Sequence, residues 1–287
     1  MGFRTVVVRT RSKLEYSLNY LVCRNEEVKR IFLDEISILI IQSTCVSFTA
    51  ALVSELVKRK VKIIFCDEKS NPLAEVTPYS NSYTSSSRIK EQIAWDKSLF
   101  DILWKIIVER KIKNQSSVLG FYGHAEQEQM LLEYAKEVSE GDVTNREGHA
   151  AKVYFNALFG NTFSRGDEFN KFNAFLNYGY SIILSAINRE ITSCGYLTQL
   201  GIHHIGETNP FNLGCDFMEP LRPLIDRISL DKSTTEDNFR DVMAKVLTLP
   251  CRFGEMDTYI DNGIHLYVGG LLSFLNGKSD EVCFIEY

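Results

Sequence analysis

The residue pattern of this chain changes character once, at an uncharged stretch rich in serine and asparagine over residues 77–87. Before it, short runs of Val, Ile, Tyr and Phe are separated by polar breaks. Such runs predict strands, because branched and aromatic residues fit a pleated, half-buried surface. After it, apolar residues recur every three or four positions, which is the helical period. We therefore expect a β part followed by a helical part.

The β part also contains one predicted helix. Ser47 or Thr49 is expected to cap it, because Phe48, Leu52 and Leu56 follow at a spacing of four residues. The predicted strands cover residues 5–8, 13–22, 28–32, 36–41 and 61–65.

The predicted fold is α+β with two domains, as the length of 287 residues favours. A small β-sandwich-like domain covers residues 1–76, a Ser-rich linker covers 77–87, and a larger all-α domain covers 88–287. The apolar spacing in the last part predicts helices around residues 93–107, 125–138, 144–159, 170–194 and 236–248.

Cysteine usage and apolar runs indicate the compartment. The seven cysteines are scattered and form no CxxC pair, so neither a disulfide framework nor a zinc ribbon is indicated. The first residues lack a secretory signal pattern. Polar residues interrupt the apolar run over residues 36–54, which favours a strand and a capped helix over a membrane span. We expect a cytoplasmic protein that does not associate with a membrane.

The charge is unevenly distributed. Residues 231–287 hold ten acids and five bases, which accounts for the whole net charge of −5. Residues 88–113 carry seven bases against four acids. This pattern leaves open a basic face for a polyanion and, alternatively, a solvated helix with balanced charges.

Several acids and histidines are candidates for a metal site. Glu147 stands among glycine and alanine residues at the start of a predicted helix, where a metal ion or a phosphate has room to approach. Asp216 and Glu219 are three residues apart and share one face if they lie on a helix. His203 and His204 follow Gly201, and adjacent side chains point different ways, so one of them reaches a given site.

Carboxylates with one imidazole suit Mg²⁺ or Mn²⁺. The spacing leaves open the alternative that these acids are solvated and that Asp216 merely pairs with Arg222. Trp95 and Trp104 are interpreted as core or interface residues rather than base-stacking ones. Asn173, Asn177, Tyr178 and Tyr180 are candidates for contact with DNA, and Asn177 and Tyr178 are alternatively expected to satisfy backbone groups within a packed bundle.

Four segments, taken in order, closely resemble the family of the CRISPR-associated endonuclease Cas1, the integrase of spacer acquisition. Within the family, the resemblance is to the form from type II systems, which have a single-protein effector. The segments are Asn145–Phe155, Phe172–Tyr180, Leu200–His204 and Cys215–Pro223.

The resemblance implies the identity of the site residues. Glu147, His204 and Glu219 would be catalytic and would bind Mg²⁺ or Mn²⁺, with Asp216 as a nearby secondary acid. The doubled histidine leaves His203 as an alternative ligand. The candidates for contact with DNA are Arg146, Lys152, Lys111, Arg222, Asn173, Asn177 and Tyr178.

The resemblance also implies an activity and partners. The chain would be a metal-dependent DNA endonuclease and integrase of CRISPR adaptation, an antiviral defence, joining prespacer 3′-hydroxyl ends to the CRISPR repeat by transesterification. Its partners would be double-stranded DNA (the prespacer and the leader-repeat), a second copy of the chain, and a Cas2 dimer that two such homodimers bind. A need for other adaptation proteins stays open. Two alternatives remain, a non-catalytic DNA-binding scaffold and a plain metal-dependent nuclease.

Overall fold

The computed structural model describes residues 3–68, 72–79 and 85–287. In these residues the chain is a mixed α+β fold, in which strands dominate the first 76 residues and helices dominate the remainder. Within the same described part, none of the helices is both long enough and apolar enough to cross a membrane.

Among the described residues of the first part, eight strands form two four-stranded sheets, with orders β4-β3-β2-β6 and β1-β5-β7-β8. In the first sheet β2, β3 and β4 are antiparallel, and β6 runs parallel to β2. In the second, β1, β5 and β7 are parallel, and β8 is antiparallel to β7. The bounds are Arg4–Val8 (β1), Ser12–Ser17 (β2), Tyr20–Arg24 (β3), Val28–Phe32 (β4), Ile36–Ile41 (β5), Val46–Phe48 (β6), Lys62–Cys66 (β7) and Pro72–Glu75 (β8).

The helices vary in length, and two of them exceed twenty residues. Thr49 caps the first, since its hydroxyl accepts from the Leu52 N–H at 3.3 Å, which decides between the two predicted caps. The bounds are Ala50–Lys58 (α1), Ser85–Ile93 (α2), Ser98–Phe121 (α3), Ala125–Lys136 (α4), Arg146–Phe159 (α5), Lys171–Ser193 (α6), Asn212–Met218 (α7), Arg222–Leu230 (α8), Phe239–Met243 (α9) and Ile260–Leu275 (α10).

Strand β5 is buried on both faces because it lies between two cores. Leu39 and Ile41 belong to an N-terminal core that both sheets share with α1. Ile38 and Ile40 belong to the core of the helical part, where α6 packs on the second sheet. A strand covered on both faces has a continuous apolar sequence instead of an alternating one. The second sheet therefore connects the two parts of the chain.

The predicted single strand over residues 13–22 is wrong. The structure has a hairpin there, in which β2 and β3 are joined at Leu18 and Asn19. Both residues have positive φ angles, 49° and 67°, as a tight hairpin turn requires. Leucine rarely adopts this conformation, so the sequence carries no recognisable turn signal at that point.

The prediction that residues 88–287 are all α is also wrong. A small sheet of order β10-β9-β11 lies near the end of the chain. Its strands have four, four and two residues, too short to show an alternating pattern. They are Pro250–Phe253 (β9), Met256–Tyr259 (β10) and Ile285–Glu286 (β11).

Other predicted boundaries differ from the structure. The helix predicted around residues 93–107 is two helices, separated at residues 94–97, and the helix predicted over 236–248 is only α9 and a 3-10 turn, Val246–Thr248. Helix α2 begins inside the predicted linker, at Ser85, whereas residues 80–84 of that linker lie outside the described residues. The division into domains at residues 76 and 88 stays a prediction.

Gly179 of α6 allows a close approach to α8 and α9. An added methyl group would lie 2.5 Å from Cγ2 of Ile225 and 3.0 Å from Sδ of Met243, and both of these side chains are fully buried. We expect Gly179→Ala to lower the free energy of unfolding by ~1–3 kcal/mol through overpacking, measured by urea denaturation.

The matched control is Gly269→Ala in α10, where the added methyl group meets no atom within 4 Å. That variant should be neutral or more stable by up to ~1 kcal/mol, because alanine favours a helix. Equal effects of the two substitutions would contradict the close contact.

Candidate functional site

Helix α3 forms one wall of the candidate site. Trp104 and Lys111 are two helical turns apart and share a face, and Asn114 lies nearly one turn further on. Trp104 contacts the ring of His203, and the Asn114 amide donates to the Pro220 carbonyl at 2.7 Å. Lys111 lies between Trp104 and Asn114 on this helix, and its ammonium contacts the carboxylates of Glu147 and Glu219. The other parts of the site therefore attach to one rigid helix.

Glu147 is fixed in the first turn of α5 by the residues before it. The Asp142 carboxylate accepts from the backbone N–H of Arg146 at 2.8 Å and of Glu147 at 3.0 Å. Asn145 has a φ of 53°, which Asn tolerates, and its side chain accepts from the Gly148 N–H at 3.2 Å. These caps place the Glu147 carboxylate at the positive end of the helix dipole.

Glu219 is buried at the junction of α7 and α8, and its carboxylate is paired with two cations. Oε1 accepts from Arg222 Nε at 2.8 Å, and Oε2 lies 2.5 Å from Lys111 Nζ. Burial opposes ionisation, but Lys111 and Arg222 lower the pKa of Glu219 to about 2. The Glu219 carboxylate is therefore ionised at neutral pH.

The Lys111 ammonium also contacts Oε1 of Glu147, so one cation joins Glu147 and Glu219. We call these two acids the carboxylate pair. Burial alone would lower the pKa of Lys111, but Glu219 and Glu147 raise it. Two of the three predicted metal ligands thus converge on one positive charge.

Asp216 organises the turn that leads to His204. Its buried carboxylate accepts from the backbone N–H of Ile202, His203 and His204, at 2.7, 3.2 and 2.9 Å. Gly201 makes the turn possible, since an added Cβ would lie 2.3 Å from the His204 carbonyl oxygen. The Asp216 oxygens are therefore committed to the turn.

Asp216 and Glu219, whose spacing suggested a shared face, do not share a partner. The chain stays helical between them, but Asp216 binds backbone N–H groups of the turn, whereas Glu219 contacts Lys111 and Arg222. Asp216 does not pair with Arg222 either, because Arg222 is bonded to Glu219.

The imidazole of His204 is oriented by Asp216, whose Oδ1 lies 2.6 Å from its Nδ1. This hydrogen bond raises the pKa of His204, and the charges of Glu219 and Glu147 add to the effect, against burial. The negative charges of the carboxylate pair therefore stabilise the protonated form of the His204 ring. With Nδ1 engaged, Nε2 is the nitrogen that remains for a ligand.

Trp104 lies beneath both histidines. Its ring stacks on His203 with centroids 3.9 Å apart and an interplanar angle of 5°, whereas His204 meets it edge-on at 5.8 Å. His203 is therefore committed to the indole face, and the geometry favours His204 as the ligand. Trp104 and Trp95 are both buried, which confirms that they are core residues.

The donor set suits a hard divalent cation. Two carboxylates and one imidazole match Mg²⁺ or Mn²⁺. Oε2 of Glu219 is buried, and the Lys111 ammonium lies 2.5 Å from it. This oxygen is therefore already placed beside a positive charge, as a metal ligand would be. In the part of the chain that the structure describes, no three His, Cys, Asp or Glu side chains lie close enough together to hold an ion.

The basic residues predicted to face phosphate lie in different surroundings. Lys111 is buried and paired with acids, and Arg222 is partly exposed and bonded to Glu219. Arg146 is partly exposed and pairs with Glu137 at 2.8 Å. Lys152 is exposed on α5. Lys152 thus has the clearest access to a ligand, and Arg222 and Arg146 are accessible to a similar, smaller extent.

Asn173 and Tyr178 lie in the interior, out of reach of DNA. The Asn173 amide donates to the carbonyls of Ser164 and Asp167, at 2.8 Å each. Asn173 therefore satisfies polar groups within the bundle. The buried Tyr178 hydroxyl has no hydrogen-bond partner among the described residues, so the expected bond to a backbone group is not seen there. Asn177 is exposed and accepts from Arg165 at 2.7 Å, so it remains available at the surface.

A supporting layer behind Arg222 was not predicted. The Arg222 guanidinium lies 4.7 Å from the centroid of the Tyr180 ring. The hydroxyls of Tyr180 and Tyr154 both donate to the buried Asp226. The two tyrosines belong to motif segments, but no local spacing connects them with Asp226.

The pairing of Lys111 was missed as well, although a signal existed. Lys111 falls on the apolar face of α3 with Trp104 and Ile107, at helical spacing. A charge on such a face needs a buried partner.

Comparison with known proteins gives consistent matches. The family model described as CRISPR associated protein Cas1 matches residues 5–246. A protein of Neisseria meningitidis serogroup C (strain 8013), named CRISPR-associated endonuclease Cas1, is 37% identical over 227 residues, which cover 79% of this chain and 74% of the relative.

Solved structures share the fold. A casposase bound to integration product has a TM-score of 0.78 at 19% identity, over 98% of this chain and 92% of its own. A Cas6-RT-Cas1–Cas2 complex has a TM-score of 0.75 at 16% identity, over 97% of this chain and 35% of the matched chain.

Asp226 predicts a measurable pH dependence of stability. Burial raises its pKa from 3.8 to about 6, although hydrogen bonds from Tyr180 and Tyr154 act in the opposite direction. Between about pH 4 and 6 the folded protein holds a proton that the unfolded chain has released, so the contribution of Asp226 to stability falls as the pH rises.

Asp226→Asn removes this component. From pH 4 to pH 7 its free energy of unfolding should rise by ~3 kcal/mol relative to the unsubstituted protein, measured by urea denaturation at each pH. The exposed Asp280→Asn is the control and should show a constant difference. A constant difference for Asp226→Asn as well would refute the raised pKa.

Proposed function

The chain belongs to the family of CRISPR-associated Cas1 proteins, and from this premise we propose that it is the integrase of CRISPR adaptation. It joins the 3′-hydroxyl ends of prespacer DNA to the CRISPR repeat. The observation that carries the proposal is that the carboxylate pair converges on one cation, the Lys111 ammonium. The charges of the pair also act on a His204 ring that Asp216 orients.

Glu147, Glu219 and Nε2 of His204 are the proposed ligands of a Mg²⁺ or Mn²⁺ ion. The chemistry that such an ion supplies is a lower pKa for the attacking hydroxyl and neutralisation of charge at the phosphorus. The chain fixes the positions of these ligands in advance: the α5 caps hold Glu147, and Asp216 holds His204. Fixed ligands reduce the reorganisation that the reaction needs.

Arg222 is the proposed phosphate contact nearest to the pair. Its guanidinium is held between Glu219 and the Tyr180 ring, and its partly exposed edge can donate to a phosphate. Lys152, Arg146 and Asn177 are further candidates along the DNA path. Since one phosphodiester bond forms as another breaks, transesterification requires no nucleotide cofactor.

The proposed partners are prespacer DNA, the leader-repeat and a second copy of the chain. Two homodimers would bind one Cas2 dimer. The likeness to a chain of the Cas6-RT-Cas1–Cas2 complex supports Cas2 as a partner. In this proposal residues 1–76 form the β domain, residues 88–287 form the catalytic domain, the protein acts in the cytoplasm, and the system is of type II. The net negative charge of the chain lies within residues 231–287. The rest of the chain is formally neutral and can contact phosphate through its basic residues.

Glu147→Gln tests the assignment of the site. The substitution keeps the size of the side chain but removes the charge, so joining of prespacers to a repeat-bearing plasmid should fall at least about 100-fold. Glu133→Gln, an exposed change on α4, is the matched control and should retain joining. Gel filtration should show the same oligomer for both. Undiminished joining by Glu147→Gln would show that the site is misassigned.

Blocked DNA ends separate the integrase from its alternatives. Prespacers that lack the 3′-hydroxyl should give no joined product, because the nucleophile is missing. If DNA is still cleaved with these ends, the protein is a plain nuclease. If the unsubstituted protein binds DNA but gives neither joined nor cleaved product even with free 3′ ends, it is a scaffold.

A further inference from the structure

Lys111 occupies the place where a metal ion would be expected. Its side chain is 8% exposed, and its ammonium contacts Oε1 of Glu147 and lies 2.5 Å from Oε2 of Glu219. These are oxygens of the same two carboxylates that the proposed function assigns to the metal. The position between the two carboxylates is therefore already occupied by a cation of the chain itself.

An ammonium and a divalent ion cannot both occupy this position. At contact distance their positive charges repel strongly, and partial burial reduces screening by water. Oε1 of Glu219 is bonded to Arg222, so Oε2, which lies 2.5 Å from the Lys111 ammonium, is the oxygen that a metal would take. A metal that takes Oε2 must displace Lys111.

A displaced Lys111 needs a new anion. A buried ammonium without a partner is costly, since its loss of hydration is no longer offset. Glu147 is the more exposed member of the pair, with 29% of its side chain accessible, so the site opens on that side. A DNA phosphate arriving there offers the ammonium a replacement partner.

We propose that Lys111 is an internal cation that competes with the divalent metal for Glu147 and Glu219, and that a DNA phosphate ends the competition by accepting the ammonium. The inference rests on the proposed function for the identity of the site. Its consequence is that metal and DNA bind cooperatively: the DNA-free protein holds the metal weakly, and the DNA complex holds it tightly.

Metal affinity without DNA tests the competition directly. Mn²⁺ alone is titrated into the DNA-free protein, and free Mn²⁺ is measured by electron paramagnetic resonance. Lys111→Met should bind Mn²⁺ about tenfold more tightly or better, because the competing charge is gone. Lys113→Met removes the same charge from an exposed position of α3 and should change the affinity less than about twofold. Equal or weaker binding by Lys111→Met would overturn the proposal.

The same titration in the presence of prespacer DNA tests cooperativity. DNA should tighten Mn²⁺ binding by the unsubstituted protein and by Lys113→Met, and should tighten it much less in Lys111→Met. An equal effect of DNA on all three proteins would overturn the role of the phosphate.

A measurement on the unsubstituted protein keeps the inference testable if Lys111→Met does not fold. Acetylation by an amine reagent, followed by mass spectrometry, should be slow at Lys111 in EDTA and faster in Mn²⁺, because the metal frees the ammonium. An unchanged labelling rate at saturating Mn²⁺ would show that Lys111 stays in place.

Failure of this inference is distinguishable from failure of the proposed function. Equal Mn²⁺ affinity of Lys111→Met and the unsubstituted protein, with joining lost in Glu147→Gln, overturns only the competition. Undiminished joining by Glu147→Gln, with no Mn²⁺ bound to any form, overturns both.

Discussion

A carboxylate buried among helices stays ionised only if positive charge or hydrogen-bond donors are buried with it, and for Glu219 this condition shapes the whole site. Arg222 and Lys111 meet the condition from two directions. Each of these cations has further contacts, Arg222 with the ring of Tyr180 and Lys111 with the carboxylate of Glu147. The site is thus a connected series of buried charges, and a change in any member alters the field at Glu219.

Two aspartates fix the site through backbone amides. Asp142 accepts from the first N–H groups of α5, and Asp216 accepts from three successive N–H groups before His204. In both cases a short segment of main chain is held by a carboxylate that does not itself face the carboxylate pair. Loop positions that would otherwise move are therefore tied to charges in the interior.

Local spacing predicted some of this structure and failed at identifiable places. The apolar run of β5 and the Thr49 cap are local signals, and both predictions are confirmed. Residue types and motif order selected Glu147, His204 and Glu219. In the structure Glu147 and Glu219 both contact Lys111, and the charges of both raise the pKa of His204. Spacing also suggested that Asp216 shares a face with Glu219, but the N–H groups that Asp216 binds lie 12 to 14 residues earlier in the sequence, where helical spacing carries no information. Lys111 shows a different limit: the sequence predicts it as a contact for DNA and does not reveal its burial, because its two partners lie far away in the sequence.

The Trp104–His203 stack has a spectroscopic consequence. The chain contains two tryptophans, and only Trp104 contacts the histidine turn, since Trp95 stacks on Tyr196 instead. Indole emission is sensitive to contact with an imidazole ring, so any rearrangement of the turn changes the fluorescence of one identifiable residue. With Trp95 replaced by phenylalanine, the site would carry its own optical probe, without a label.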